Sequence, residues 1–173
     1  IKGTDVSWLD WSPDGGRLLL AQTVAGSNTP QIWTMRTNGN AYGTIGSGEY
    51  KAEWGAWLAD SQTLVFIETT GDEPNQMGAT EQVATIYKVD VQRGGQTVLY
   101  RSERELINIS MSPDRSTILV GSWGLQFYEG SRYGDRTDFS TVLIDTASAQ
   151  TTLVEGDGYW YGWLPDSSGL FSL

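Results

Sequence analysis

A four-residue motif that ends in aspartate recurs along the chain and divides it into units of similar length. Its aspartates, Asp14, Asp60, Asp114 and Asp166, are 46, 54 and 52 positions apart. A few turn residues after each aspartate lead into a short apolar run, such as residues 18–20 in the first unit. Self-similarity at a period of this size is typical of repeat proteins, in which each unit packs against its neighbours.

Each of the first three units predicts four short strands separated by turns that are rich in glycine, asparagine or serine. Four strands in a unit of about 50 residues are typical of one blade of a β-propeller. We therefore expect an all-β fold of four-stranded antiparallel blades, with about three and a half blades present as a partial ring or arc. The expected blades span about 5–46, 50–101 and 105–155, and the first half of a fourth spans about 158–173.

The motif itself predicts a tight turn. In the first unit it reads Trp-Ser-Pro-Asp over residues 11–14 and is followed by Gly15. Pro13 presets φ at the second turn position, Asp14 can cap its own backbone, and Gly15 adopts a φ that other residues resist. The alternative, that these aspartates are catalytic carboxylates, is weaker because they recur once in every unit, as a structural device does.

Pairs of tryptophans precede three of the four turns. Residues three apart in a strand point to opposite faces, so one ring can face the blade before and the other the blade after. Packing is the favoured interpretation, and stacking on a ligand is the alternative. The third unit has Asn108 and Met111 instead, so it either packs differently or directs Asn108 into the central channel. The pairs are Trp8 with Trp11, Trp54 with Trp57, and Trp160 with Trp163.

These residues carry a family resemblance. Residues 11–20 and 32–39 read Trp-Ser-Pro-Asp-Gly, an apolar strand, and then Ile-Trp-x-Met-x-x-x-Gly, which resembles the TolB-type, WD-like propeller repeat. Similar units occur in the propellers of prolyl-oligopeptidase-like enzymes, tricorn-like proteases and oligogalacturonate lyase. The resemblance covers nearly the whole chain and implies a fold rather than an activity, because propellers serve many functions.

The number of units predicts an incomplete ring. Known propellers close with four to eight blades, each of which buries its faces against neighbours. We expect the remaining blades to come from the rest of a longer chain or from another subunit, with an open arc capped by a partner as the third alternative. The chain begins at Ile1 without a signal-peptide pattern, which suggests a processed or excised piece.

The composition excludes several classes of function. The net charge of −10 argues against nucleic acid and against anionic membranes, which require basic surfaces. The sequence has no cysteine and no histidine, which removes thiol nucleophiles, the usual zinc sites and any catalytic triad with a histidine base. No apolar run reaches the length of a membrane-spanning helix. We expect no cofactor, no metal and no membrane insertion.

The candidate site lies on long connections between the second and third strands, over residues 23–30, 68–82 and 122–138. All three are expected at one end of the blades, opposite the aspartate turns. The second is acidic and is expected to be solvated, with a calcium site as the alternative. The third is rich in aromatic and arginine residues, which are enriched in binding hot spots, although it could instead fold over its own blade. Its candidate residues are Trp123, Phe127, Tyr128, Arg132, Tyr133 and Arg136.

We expect a non-catalytic scaffold that binds a protein or glycan partner through this face. The alternative is a substrate-gating or glycan-processing propeller portion of an extracytoplasmic hydrolase, prolyl-oligopeptidase-like or glycosidase-like. Residues 158–162 read Gly-Tyr-Trp-Tyr-Gly, without the serine of a nucleophile elbow, and Asp5, Asp10, Glu53 and Glu105 show no specific carboxylate pairing. The resemblance and the lysine-poor, polar composition suggest a periplasmic or secreted location.

Overall fold

The computed structural model describes residues 5–23, 29–40, 43–46, 48–74, 80–102, 104–126, 135–154 and 161–172. Within the strands, the side chains of residues 5, 7–9, 71–74, 80–82, 123–126, 135–138 and 172 are not described. The described part of the chain contains strands and turns only, so no helix in it could cross a membrane.

The strands of the described residues, numbered in chain order, are β1 (Asp5–Trp11), β2 (Arg17–Thr23), β3 (Pro30–Arg36), β4 (Gly43–Ile45), β5 (Lys51–Trp57), β6 (Thr63–Pro74), β7 (Thr80–Asp90), β8 (Gln96–Ser102), β9 (Glu105–Met111), β10 (Thr117–Gln126), β11 (Asp135–Asp145), β12 (Thr151–Val154), β13 (Tyr161–Trp163) and β14 (Leu170–Ser172).

These strands form three four-stranded sheets and one two-stranded sheet. In each larger sheet the strands follow one another in chain order, and every neighbouring pair is antiparallel. We call β1–β4 blade 1, β5–β8 blade 2, β9–β12 blade 3 and β13–β14 the start of blade 4. The predicted fold class, a partial β-propeller of antiparallel blades, is confirmed.

The first strands of blades 1 to 3 lie on the inside of the arc. Strand β1 contacts β5, and β5 in turn contacts β9. The fourth strand is at the opposite edge of each sheet. The first strands therefore surround a common axis, and the connections between second and third strands lie at one end of that axis, away from the aspartate turns.

Blade 2 is covered on both faces, and its second strand shows this most clearly. Residues 64–67 of β6 read Leu-Val-Phe-Ile, and all four are at most 2% exposed. Leu64 and Phe66 belong to a core cluster shared with blade 1, whereas Val65 and Ile67 belong to one shared with blade 3. A strand that is buried on both faces reads as a continuous apolar run rather than an alternating one.

The tryptophan pair of blade 2 behaves as predicted. Trp57 is fully buried in the cluster shared with blade 1, and Trp54 packs against the cluster shared with blade 3. The two rings thus face opposite neighbours. Trp163 at the start of blade 4 donates from its indole nitrogen to the carbonyl of Ser110 in blade 3, at 3.2 Å. The side chains of Trp8 and Trp160 lie outside the described residues.

The third unit packs differently, as one of the two expectations for it allowed. Asn108 is a bulged residue in β9, with a φ of 60° and an exposed side chain. Met111 packs against the cluster between blades 2 and 3, at the position of Trp57. The ring of Phe139 lies 3.0 Å from where a Cβ on Gly121 would be, so this blade accommodates an aromatic ring where blade 2 has Ile67.

Two of the connections predicted as long loops are largely strand. Strand β6 continues to Pro74 and β7 begins at Thr80, while β10 continues to Gln126 and β11 begins at Asp135. The loop prediction over 68–82 and 122–138 was therefore wrong for most of those residues. Antiparallel pairing satisfies the backbone hydrogen bonds of these segments, which an open loop leaves to solvent. Glu68, expected in a solvated acidic loop, is 3% exposed within β6.

Candidate functional site

The aspartate turns lie together at one end of the axis, and in each the aspartate Oδ1 accepts a hydrogen bond from the backbone amide two residues later. In blade 1 the Ser12 hydroxyl donates to Asp14 Oδ1 at 2.6 Å, and the Gly16 amide donates to the same oxygen at 2.9 Å. Ser112 and Ser116 bond Asp114 in the same way in blade 3. The aspartates are therefore turn caps, as the repeat predicts.

Hydrogen bonding keeps these carboxylates ionised. The hydrogen bond from the Ser12 hydroxyl, followed by that from the Gly16 amide, holds the pKa of Asp14 below its ordinary value. The pKa of Asp114 is lowered by Ser112 and Ser116 for the same reason. A general acid needs a raised pKa to carry a proton near neutral pH. These aspartates are thus unsuited to acid catalysis.

One backbone position in each turn adopts a left-handed conformation. It follows the aspartate and is Gly15, Ser61, Arg115 or Ser167, with φ values of 69°, 57°, 58° and 62°. Glycine adopts this conformation without strain, whereas other residues adopt it at a cost. The sequence predicted this conformation for Gly15 alone, so the other three units carry a backbone strain that the first avoids.

The side chains at this position join neighbouring blades. The Ser61 hydroxyl of blade 2 accepts a hydrogen bond from the backbone amide of Asp14 in blade 1, at 3.0 Å. The Ser167 hydroxyl of blade 4 accepts one from the amide of Asp114 in blade 3, also at 3.0 Å. We call this contact the seam clasp. Its hydrogen bond offsets part of the strain at this backbone position.

Arg115 makes a different contact at the same position. Its Nη1 donates to the carbonyl of Trp57 in blade 2 at 2.8 Å and lies 3.6 Å from Asp10 Oδ2 in blade 1. One guanidinium thus joins three blades. Arg115 was not among the functional residues predicted from the sequence. The signal that could have revealed it is that Arg115 is the one charged residue among the four that follow the motif aspartates.

Two of the carboxylates on the first strands, Asp10 and Glu53, are paired with cations. Asp10 faces Arg115, and Glu53 forms an ion pair with Lys51 at 2.7 Å. A glycosidase requires two carboxylates that face one substrate bond. No group of three or more histidine, cysteine, aspartate or glutamate side chains suited to a metal ion occurs within the described residues.

The predicted aromatic and arginine site falls mostly outside the described residues. Phe127, Tyr128, Arg132 and Tyr133 lie outside them, and for Trp123 in β10 and Arg136 in β11 only the backbone is described. The structure therefore does not show whether these side chains come together. The structure does describe the strands on either side of this segment. The Ser122 hydroxyl of β10 and the Ser140 hydroxyl of β11 lie 2.6 Å apart and are hydrogen-bonded.

Comparison with known proteins shows the fold. No family model matches the sequence, and a search of curated proteins found no match. Among solved structures, the chain is similar to a tricorn protease with 12% identity over 95% of this chain and 15% of that one, at a TM-score of 0.63. A prolyl endopeptidase matches with 16% identity over 92% and 23% of the two chains, at 0.65.

A third similar structure is the hydrazine synthase of Kuenenia stuttgartiensis, with 18% identity over 94% of this chain and 47% of that one, at a TM-score of 0.62. The chain thus spans less than half the length of each of these three proteins. At such identities the likeness establishes the propeller fold, and it does not single out the TolB-type repeat, which stays a prediction.

Proposed function

We propose that this chain is a non-catalytic propeller portion of a larger hydrolase, in which it restricts the access of polypeptides to a catalytic domain. The observation that carries the proposal is the arrangement of the first strands around an axis, with Asp10 and Glu53 held in ion pairs. Strands arranged in this way can select polypeptides by size and charge without reacting with them. The chain has no histidine or cysteine to supply a base or a thiol.

The comparisons support the peptidase context. The tricorn protease and the prolyl endopeptidase share this fold over 15% and 23% of their own lengths. For the prolyl endopeptidase, inter-domain dynamics have a described role in catalysis and specificity. In this chain the seam between blades 1 and 2 combines a buried apolar cluster with the Ser61 clasp, so loss of the clasp should loosen the seam while the cluster keeps the blades together.

The test uses the full-length protein and two fluorogenic peptides that share a cleavage sequence, one short and one several times longer. Ser61→Ala removes the clasp between blades 1 and 2, whereas Ser148→Ala removes a hydrogen bond within a turn of blade 3. We expect Ser61→Ala to raise kcat/KM for the long peptide relative to the short one and Ser148→Ala to leave the ratio unchanged. Absence of peptide hydrolysis, or an unchanged ratio in Ser61→Ala, would contradict the proposal.

A second candidate function, a scaffold that binds a protein or glycan, is favoured by the two extended hairpins. Strands β6 and β7 have 12 and 11 residues, and β10 and β11 have 10 and 11, against 7 for each of β2 and β3. The hairpins of blades 2 and 3 are therefore longer than that of blade 1 at the same end. Residues presented on a rigid scaffold are well placed to bind.

Its test is the double variant Tyr128→Ala/Arg132→Ala, at two candidate residues that lie between β10 and β11 in the sequence. We expect unchanged stability and weaker binding to whichever member of a peptide or glycan array the wild-type protein retains. The control, Val98→Ala/Arg101→Ala, alters two exposed residues of β8 and should leave binding intact. Unfolding of the double variant would show that these two residues belong to the core, and binding equal to wild type would exclude them as the site.

A further inference from the structure

A cleft of about 370 Å³ lies between blades 1 and 2, near the aspartate turns. Small-molecule sites have volumes of about 300–1,000 Å³, so this cleft suits a small ligand rather than a folded partner. Blade 1 supplies most of the wall, and the turn after β7 supplies the rest. The residues lining it are Arg17, Thr34, Met35, Arg36, Val91 and Gln92.

The two arginines are opposite each other in the sheet. Arg17 at the start of β2 pairs directly with Arg36 at the end of β3, so both side chains point to the same face. This is the face toward blade 2, since Leu19 and Ile32 on the same side belong to the cluster shared with that blade. Like charges directly opposite one another destabilise a sheet, so this pairing requires compensation.

The other blades differ at the same two positions. The corresponding cross-strand pair is Thr63 with Asp90 in blade 2 and Thr117 with Asp145 in blade 3. Each of those aspartates caps the following turn, as Asp90 does by accepting hydrogen bonds from the amides of Gln92 and Arg93. Blade 1 thus has two arginines at the positions where blades 2 and 3 each have a threonine and a turn-capping aspartate.

The gap between blades 2 and 3 is occupied by a side chain of the protein. Lys88 of blade 2 extends across it, and its ammonium donates to the carbonyl of Thr146 in blade 3 at 2.9 Å. The residue in the corresponding position of blade 1 is Thr34, which pairs with Leu19 as Lys88 pairs with Val65. Threonine is too short to extend across, so the gap between blades 1 and 2 stays open.

The guanidinium of Arg17 lacks an acceptor within the described residues. Its Nη1 is buried and has no hydrogen-bond partner there, and neither Arg17 nor Arg36 forms an ion pair with a described carboxylate. The pKa of Asp14 is lowered mainly by its bond to Ser12 and to a smaller extent by the charge of Arg17, but no ion pair joins the two. The charges of both arginines are therefore left without a carboxylate partner among the described residues.

We propose that this cleft binds a small oxyanion, a carboxylate or a phosphate, between the guanidinium groups of Arg17 and Arg36. The planar guanidinium presents paired donors that match the two oxygens of such groups. A bound anion would offset the repulsion between the two arginines. This inference concerns the seam between blades 1 and 2 and does not depend on the proposed hydrolase function.

The test measures binding of inorganic phosphate and, separately, of a short peptide with a free terminal carboxylate, by calorimetry on the full-length protein at constant ionic strength. We expect saturable binding of at least one probe, and the preferred probe identifies the source of the oxyanion. Arg17→Thr and Arg36→Asp install the residues that the other blades have, so the fold should tolerate them. Each should weaken binding about tenfold or more, because a charge-assisted hydrogen bond is lost.

Two further variants separate a defined site from diffuse attraction. Thr34→Lys adds positive charge but should fill the cleft as Lys88 fills the next one, so we expect it to weaken binding despite its charge. Arg101→Thr removes an exposed arginine on β8 and should leave binding unchanged. The proposal is overturned if neither probe binds saturably, if Arg17→Thr, Arg36→Asp or Thr34→Lys keeps the wild-type affinity, or if Arg101→Thr loses as much affinity as these variants.

Discussion

Trp57 and Trp11 have the same position in successive units and different surroundings. Trp57 is 0% exposed between blades 1 and 2, whereas Trp11 is 52% exposed on the outer face of blade 1. Both precede an aspartate turn and both pair with a leucine of the next strand. The difference arises because a described blade covers one ring and none covers the other. The contribution of each ring to stability should differ accordingly.

Replacing Trp57 by alanine in the 173-residue chain should lower the free energy of unfolding by about 3–5 kcal/mol, because a fully buried ring leaves a cavity. Trp11→Ala is the matched control, and it should cost much less because half of that ring already contacts water. Urea unfolding followed by circular dichroism measures both. Equal losses in the two variants would show that Trp57 is not packed between blades as described.

The turn aspartates predict a loss of stability in acid. The pKa of Asp14 and that of Asp114 are lowered in the folded state, mainly by the hydroxyls of Ser12 and Ser112. A group with a lowered folded-state pKa binds its proton more readily when unfolded, so its stabilisation is present above the unfolded pKa of about 3.9 and is lost as the pH falls through the folded value.

We therefore expect the unfolding midpoint to fall steadily as the pH is lowered from about 5 toward 3. The variant Asp14→Asn/Asp114→Asn should be less stable than wild type at pH 7 and less sensitive to acid, because an amide does not titrate in this range. Thermal unfolding at a series of pH values measures this. A double variant with the same acid dependence as wild type would show that these caps do not contribute.

At the scale of elements, adjacent blades are joined by contacts that differ from seam to seam. Serine clasps join blade 2 to blade 1 and blade 4 to blade 3, whereas the Arg115 guanidinium joins blade 3 to blade 2. All three side chains arise from the same left-handed turn position. The repeat thus fixes where a clasp can form, and the residue at that position fixes which atoms it engages.

This equivalence predicts that Arg115→Ser is better tolerated than Arg115→Ala. A serine at 115 should accept a hydrogen bond from the Asp60 amide, as Ser61 does from that of Asp14. Alanine offers no acceptor, so we expect it to cost about 1 kcal/mol more than serine, the usual contribution of one hydrogen bond. Urea unfolding of both variants provides the comparison, and equal stability would indicate that the serine clasp is not transferable between seams.

For the whole molecule, the two ends of the arc differ from its middle. Val6 and Trp11 of blade 1 are 45% and 52% exposed, and Leu164 and Phe171 at the start of blade 4 are 38% and 44% exposed. The corresponding faces of blade 2 are buried against neighbours. Exposed apolar faces of this kind mark surfaces that associate with other protein.

The 173-residue chain on its own should therefore self-associate in a concentration-dependent way. Trp11→Glu should reduce the association, because it places a charge on the open face of blade 1. Leu153→Glu is the control, since Leu153 is 61% exposed on the outermost strand of blade 3 and lies away from the two ends of the arc. Sedimentation velocity distinguishes the outcomes, and a chain that stays monomeric throughout would contradict the expectation.

The sequence alone determined the repeating unit, the strands, the aspartate turns and the opposed tryptophans of blade 2. These features depend on spacing within a few residues, which fixes turn geometry and the face to which a side chain points. The aromatic and arginine loop around Tyr128 and Arg132 stays a prediction, because it lies outside the described residues.

Only the tertiary structure decided the extent of the long hairpins, the burial of Glu68, the reach of Arg115 across three blades and the open cleft at Arg17 and Arg36. Each depends on which groups meet from blades that are distant in the chain. How far a strand continues is set by its partner strand, and whether a charge is balanced is set by the neighbouring blade. Local spacing carries no information about either.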